Sequence, residues 1–203
     1  MRASDIMTTK VVTISPDLKV DEIARVLLEK GISAVPVADE NGKVLGIVSE
    51  GDLLRRHENH TERRHSSWLS LFTSSEDEAR DYAKTHGMTA AQVMTDKIIS
   101  VDEETLVGDI AQLLEKRRIK RVPVIQDGKL VGIVSRANLL HGLAASKDAG
   151  PAAPSVDDRQ LRKNILAKLE NENWISHGAL NVIVTSGSVE LWGWVNSEDE
   201  RKA

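Results

Sequence analysis

Residues Ser33–Leu54 read SAVPVADENGKVLGIVSEGDLL, and residues Lys120–Leu140 read KRVPVIQDGKLVGIVSRANLL. Each stretch has a Val-Pro-Val run, a short turn holding Asn-Gly or Asp-Gly, a Gly-Ile-Val-Ser run, and then a change to helical spacing. Two β-branched runs joined by such a turn predict a β-hairpin. The second copy is one residue shorter at the turn. Upstream lies a second matched pair: ASDIMTTKVVTISPD at Ala3–Asp17 and AAQVMTDKIISVDEE at Ala90–Glu104, 87 residues apart. The chain is therefore an internal repeat, and the repeat governs the fold. Two like units packed about a pseudo-twofold axis leave a cleft between them, the kind of place where small ligands bind.

Outward from the hairpins, Lys10–Ile14 is short and β-branched and predicts a strand. Ser15-Pro16-Asp17 reads as a helix start, with an N-cap, a proline at the first helical position and an acid near the positive end of the dipole. Val20, Ile23, Ala24, Leu27 and Leu28 recur at helical spacing, and Gly31 is placed to stop that helix. The order is β-α-β-β-α. The second repeat gives the same order, with Val107, Ile110, Leu113 and Leu114 on its first helix.

This pattern resembles a tandem pair of cystathionine-β-synthase (CBS) domains, a Bateman module. The residues carrying the resemblance are Asp5-Ile6-Met7-Thr8 and Gln92-Val93-Met94-Thr95, the Val-Pro-Val triplets at 35–37 and 122–124, and the Gly-Ile-Val-Ser runs at 46–49 and 132–135. The resemblance covers residues 1–57 and 88–145. It implies an α/β (α+β) fold of two repeats related by a pseudo-twofold axis, and a homodimer formed through the CBS helices.

Ser49-Glu50-Gly51-Asp52 stands where a strand meets a helix. One reading is a capping box that needs no ligand. In the other, Asp52 accepts from a ribose diol while N–H groups at the helix start face a phosphate. The two are compatible, and the resemblance implies that Asp52 binds ribose. The second copy, Ser135-Arg136-Ala137-Asn138, has an amide in place of the acid and loses the charge-assisted part of such a bond. Lys120 and Arg121 precede the second Val-Pro-Val, where the first repeat has Ser33 and Ala34. The resemblance implies that these cations reach the phosphates of a nucleotide whose ribose is held by the opposite repeat's acid. One site would then combine Asp52 and Ser49 with Ser100, Lys120, Arg121 and Val122. A weaker one would combine Thr13, Ser33 and Ala34 with Ser135 and Asn138. The alternative for Lys120 and Arg121 is a solvated cluster with Arg117 and Arg118 at a helix end. Residues 1–67 and 83–173 contain no aromatic, so a purine would lie between aliphatic side chains. That predicts micromolar affinity or weaker, about 8 kcal/mol or less.

Residues 58–87 form an insert read as helical. His57, His60 and His65 are irregularly spaced, with no carboxylate or Cys to complete a metal set. Arg55, Arg56, Arg63 and Arg64 read as a solvated basic patch or as outer phosphate contacts. Trp68–Phe72 is an apolar stretch that packs down, and Thr73–Glu78 opens an acidic helix that Gly87 stops. Gly142–Ser155, rich in Ala, Gly, Pro and Ser, reads as a linker, and the domain division places it at 146–156, between the second repeat and the tail. Residues 157–203 then give a helix with Leu161, Ile165 and Leu169 on one face, strands at Asn181–Thr185 and Val189–Val195, and a capping box at Ser197–Glu200. This part resembles the start of a BON domain, a small α/β module of bacterial proteins, on Asn181–Val184 and Val189–Val195. The expected further helix and strand are lacking, so the domain reads as truncated. Strand alternation puts Trp192 and Trp194 together on one face, as a contact surface for a partner, for lipid or for the CBS pair itself.

Composition removes other classes. The net charge of −4 gives no reason to expect nucleic acid. The absence of cysteine excludes disulfides and fits a reducing cytoplasm. No apolar run approaches the roughly 20 residues of a membrane helix, and Met1–Lys10 lacks a signal peptide's apolar core. There is no phosphate loop of Walker type and no His-Glu-x-x-His; His57, His86, His141 and His177 stand alone, so no catalytic set is read. The expectation is a cytoplasmic, non-enzymatic sensor that binds an adenosyl ligand (AMP, ADP, ATP or S-adenosylmethionine) between its repeats, with no required cofactor or metal. The alternative is a ligand-free dimerising scaffold whose BON segment contacts a partner or lipid surface.

Overall fold

The computed structural model describes residues 1–54, 86–149, 154–170, 180–193 and 197–202. The expectations for His57, His60, His65, Arg55, Arg56, Arg63, Arg64, Trp68–Phe72, Thr73–Glu78, Trp174, His177 and Trp194 lie outside these residues. Two units emerge: Thr13–Ile98, and Met1–Val12 together with Ile99–Ala203.

In the unit Thr13–Ile98, strand β1 (Ala34–Ala38) pairs antiparallel with β2 (Val44–Ser49). The turn between them closes on Gly42 at φ +79°, a conformation that suits glycine. Pro36 sits inside β1 although it has no N–H to give. Its partner Ile47 exchanges its bonds on the other side, donating to Thr95 at 3.1 Å and accepting from it at 2.9 Å. Nothing is asked of the proline, so the strand tolerates it. On the outer edge of β1, Ile14 receives from Ala38 and gives to the Pro36 carbonyl, both at 3.0 Å. The first strand of the repeat is thus a single parallel bridge.

Helix α2 covers Val20–Lys30 and ends in left-handed Gly31 at φ +61°, as the sequence predicts. Its start is different. The helix opens at Val20, not at Ser15. The carbonyls of Pro16 and Leu18 accept from the N–H groups of Ala91 and Ala90 at 2.8 Å. Carbonyls committed sideways to the first turn of α4 (Ala90–Val93) cannot close a helical ladder of their own. Helix α3 (Glu50–Leu54) follows β2.

The other unit repeats this plan. Its hairpin is β3 (Arg121–Gln126) with β4 (Lys129–Ser135); Pro123 faces Ile133, whose bonds go to Thr8 at 2.9 and 3.0 Å. Val101 bridges β3 in parallel. Helices α1 (Ala3–Ile6), α5 (Val107–Lys116) and α6 (Arg136–Ala149) belong to it. The turn Met7-Thr8, first repeat by sequence, therefore completes the second repeat's hairpin, while Met94-Thr95 completes the first's. The contact is close. A Cβ on Gly132 would lie 2.9 Å from Met7 Cγ, and one on Gly46 would lie 2.7 Å from Met94 Cγ.

Helix α6 runs through residues 142–149, which read as the start of a linker. Gly142 is carried inside it because a Cβ there would meet Ile6 Cγ2 at 3.1 Å. Helix α7 (Val156–Glu170), strands β5 (Asn181–Thr185) and β6 (Ser188–Trp192), and α8 (Glu198–Lys202) complete the unit. Ser186 and Gly187 both have positive φ, so a two-residue mirror-image turn joins β5 to β6. Every residue of β5 is buried, and Ile183 joins Ile6, Met7, Leu114 and Ala145 in one core.

Candidate functional site

At the end of the β1–β2 hairpin, Ala34 faces Ser49, and the N–H of Glu50 donates to the Ser33 carbonyl at 3.1 Å. Ser33, Ala34, Ser49 and Asp52 are thereby gathered at one end of one unit. The start of α3 is closed by Asp52. Its Oδ2 accepts from the Ser49 N–H at 2.9 Å and from the Ser49 hydroxyl at 2.6 Å. This is the reach-back half of the ligand-free capping box read from the spacing. Asp52 remains half-buried. Thr13 is exposed beside the Ile14 bridge.

The β3–β4 hairpin gathers the matching residues of the second copy. Arg121 faces Ser135, and the Arg136 N–H donates to the Lys120 carbonyl at 3.1 Å. Lys120 is exposed, Arg121 half-buried and Val122 fully buried; Ser100 is exposed beside the Val101 bridge. Asn138 is 5% exposed. Its Oδ1 accepts from the Ser135 N–H at 2.8 Å and hydroxyl at 2.7 Å, while its amide donates to Ile6 O at 3.1 Å and Thr8 Oγ1 at 3.3 Å. Both lone pairs and both protons of that amide are used.

The two hairpin ends differ in charge. One presents Glu50 and Asp52; the other presents Lys120, Arg121 and Arg136. Acceptors suit sugar hydroxyls and cations suit phosphate.

The tail brings together side chains that sequence reasoning missed. Asp158, at the start of α7, accepts from the Ser155 N–H at 2.8 Å, the Ser155 hydroxyl at 2.9 Å, and the N–H groups of Ser186 and Gly187 at 3.1 and 2.7 Å. These donors hold its carboxyl below the ordinary 3.8, the Ser155 backbone contributing most. Arg162 is 6% exposed and donates to Val182 O at 2.8 Å and Met7 O at 2.7 Å. Burial pushes its guanidinium down to about 10, against the opposing pull of Asp5, so it keeps its charge near neutrality. Arg159 pairs with Asp5, itself 2% exposed, at 2.9 Å. Asn181 donates to Ile6 O at 2.6 Å.

Two readings of the tail are corrected. Leu161 does not face inward; it is 37% exposed, and the buried stripe of α7 runs through Asp158 and Arg162. The available signal is a spacing of four between an acid and an arginine, ahead of Ile165 and Leu169. His141 does not stand alone. Its ring stacks on Trp192 at 4.5 Å with planes 10° apart, and Trp192 Nε1 donates to Glu190 Oε2 at 3.0 Å. Trp192 thus packs on α6.

Among the described residues no group of His, Cys, Asp and Glu could hold a metal, and no helix is long and apolar enough to cross a membrane.

Comparison with known proteins agrees with this architecture. The CBS domain family matches residues 3–59 and 90–145, and the BON domain family matches 157–203. A chloroplastic CBS domain-containing protein of Arabidopsis thaliana, CBSX1, is 33% identical over 68% of this chain and 61% of its own length. The chain thus spans about 60% of that relative. YhcV of Bacillus subtilis, also a CBS domain-containing protein, is 26% identical over 77% of this chain and 96% of its own. The crystal structure of CBSX2 in complex with AMP superposes with a TM-score of 0.63 at 30% identity, covering 72% of this chain and 98% of that one. With both repeats matched and their hairpins in register, the chain belongs to the CBS domain family, and its residues 157–203 match the BON domain family.

Proposed function

We propose that this protein is a sensor whose CBS pair binds an adenosyl ligand. Ser49 and Asp52, with Ser100 and Val122, serve the nucleoside, and Lys120 and Arg121 serve the phosphate. One observation carries the reading. The two repeats keep the same strand-to-helix motif but use it differently: Asp52 is a half-buried carboxylate at an acidic hairpin end, whereas Asn138 is buried with its hydrogen bonds spent. The likeness to a CBS pair that binds AMP supports the ligand class. Thr13, Ser33, Ala34, Ser135 and Asn138 then make the weaker site. The protein acts by binding rather than catalysis. It works as a homodimer through its CBS helices, in the reducing cytoplasm that its cysteine-free composition fits.

Calorimetry on the full chain with AMP, ADP, ATP and S-adenosylmethionine tests this. The expected result is micromolar binding of at least one of them. A hydrogen bond to a charged group contributes about 1.5–3 kcal/mol, so Asp52→Ala should weaken binding roughly 10- to 100-fold. No heat from any of the four would overturn the reading and favour the ligand-free scaffold, which the Ser49–Asp52 bonds also satisfy. Unchanged affinity in the variant would overturn the role given to Asp52.

A further inference from the structure

We infer that the second repeat's unit is specialised as the docking platform for the tail, and that four of the residues by which it departs from the other unit carry the docking. Among the positions at which the two units differ are Asp5 against Gln92, Asn138 against Asp52, His141 against Arg55, and Gly142 against Arg56.

Capping does not require a charge at the first of these. Gln92 Oε1 accepts from the N–H groups of Met88 and Thr89 at 2.7 and 3.2 Å, much as Asp5 Oδ2 accepts from the Arg2 N–H at 2.8 Å. What the acid adds is its bond to Arg159 of the tail at 2.9 Å and a field that favours the buried charge of Arg162. At the second position, Asp52 and Asn138 both accept from their serine. Only the amide has protons to give, and it gives one to Ile6 O, the carbonyl that also takes Asn181 of the tail. Arg162 takes the next carbonyl, Met7 O. At the third, His141 offers a flat ring to Trp192. At the fourth, the glycine leaves Ile6 against α6, where any Cβ would be tight, and Ile6 shares its core with Ile183 of the tail. Each of these four departures is thus matched to the tail, directly or through Ile6. A two-stranded hairpin is marginal alone, so β5–β6 owes its order to this platform.

Amide hydrogen exchange on the full chain tests the inference. The variant Asp5→Gln with Asn138→Asp gives the platform the other unit's residues. Exchange over residues 181–192 should accelerate at least tenfold, with residues 121–135 and 34–49 changing less than twofold. Arg162→Met, made from the tail side, should give the same pattern and decides the matter if the double variant does not fold. Tail protection within twofold of the parent would overturn the inference. So would equal acceleration over 121–135, because the residues would then be supports of the core. No ligand is needed, so failure here leaves the adenosyl reading standing.

Discussion

Replacing Gly132 with alanine tests the packing that ties Met7-Thr8 to the β3–β4 hairpin. A Cβ there would lie 2.5 Å from Met7 Sδ, 2.9 Å from Met7 Cγ and 3.1 Å from the Thr8 carbonyl. The methionine can turn aside, but the carbonyl cannot. It is held by the Ile133 N–H at 2.9 Å while the Thr8 N–H holds Ile133 O at 3.0 Å. At Gly46 the three atoms nearest to such a Cβ belong to the Met94 side chain. Overpacking costs about 1–3 kcal/mol. Losing glycine's unfolded-state freedom returns up to about 1 kcal/mol in both variants. The net expectation is a loss of about 1–2 kcal/mol for either variant. For a chain of this size that is a drop of roughly 2–8 °C in melting temperature. Far-UV circular dichroism on heating reads both. Met7→Ala alone should cost about 2–5 kcal/mol through the cavity it leaves. Combined with Gly132→Ala it should cost less than the sum, since the clash is gone. Strict additivity, or no loss in Gly132→Ala, would refute the reasoning.

Other consequences follow from the tail. Asp158→Ala removes both the α7 cap and the acceptor for the β5–β6 turn; a cap alone contributes about 1 kcal/mol, so a loss of about 1–2 kcal/mol in chemical denaturation is expected. Because donors depress the Asp158 pKa, its contribution is full above the unfolded value of 3.8. It is lost as pH falls through the lower folded value, and the parent should converge on the variant in acid. Desolvation lowers the His141 pKa below 6.5 despite the pull of Glu190. A depressed histidine stabilises the fold above its unfolded pKa, so stability should fall as pH drops from 6.5 toward the lower folded value. His141→Phe keeps the stack on Trp192 and should flatten that part of the melting-temperature profile between pH 7.5 and 5; an unchanged slope would assign it to other groups.

The hairpins were legible in the sequence because their information is local. Val-Pro-Val, the glycine turn and Gly-Ile-Val-Ser lie within about twenty residues, and β-propensity with turn chemistry is enough to pair them. Gly31 as a helix stop and Ser197–Glu200 as a helix start were readable for the same reason. The start of α2 was not. Ser15-Pro16-Asp17 has every local mark of a helix cap, but Ala91 and Ala90, more than seventy residues on, take the carbonyls of Pro16 and Leu18. Local preference lost to a distant bond that a sequence window does not contain.

The sequence by itself determined the repeat, the paired strands, the CBS and BON families and the acid at position 52. Only the tertiary structure decided which hairpin each Met-Thr turn completes. Gly46 and Gly132 are equally able to admit a methionine, so local chemistry is degenerate between them. Chain connectivity and the packing of whole units break that tie. The structure alone also turned Asp158 and Arg162 inward. A charged residue reads as solvated until the carbonyls and N–H groups that replace its water are assembled around it, and those groups come from segments far apart in the chain.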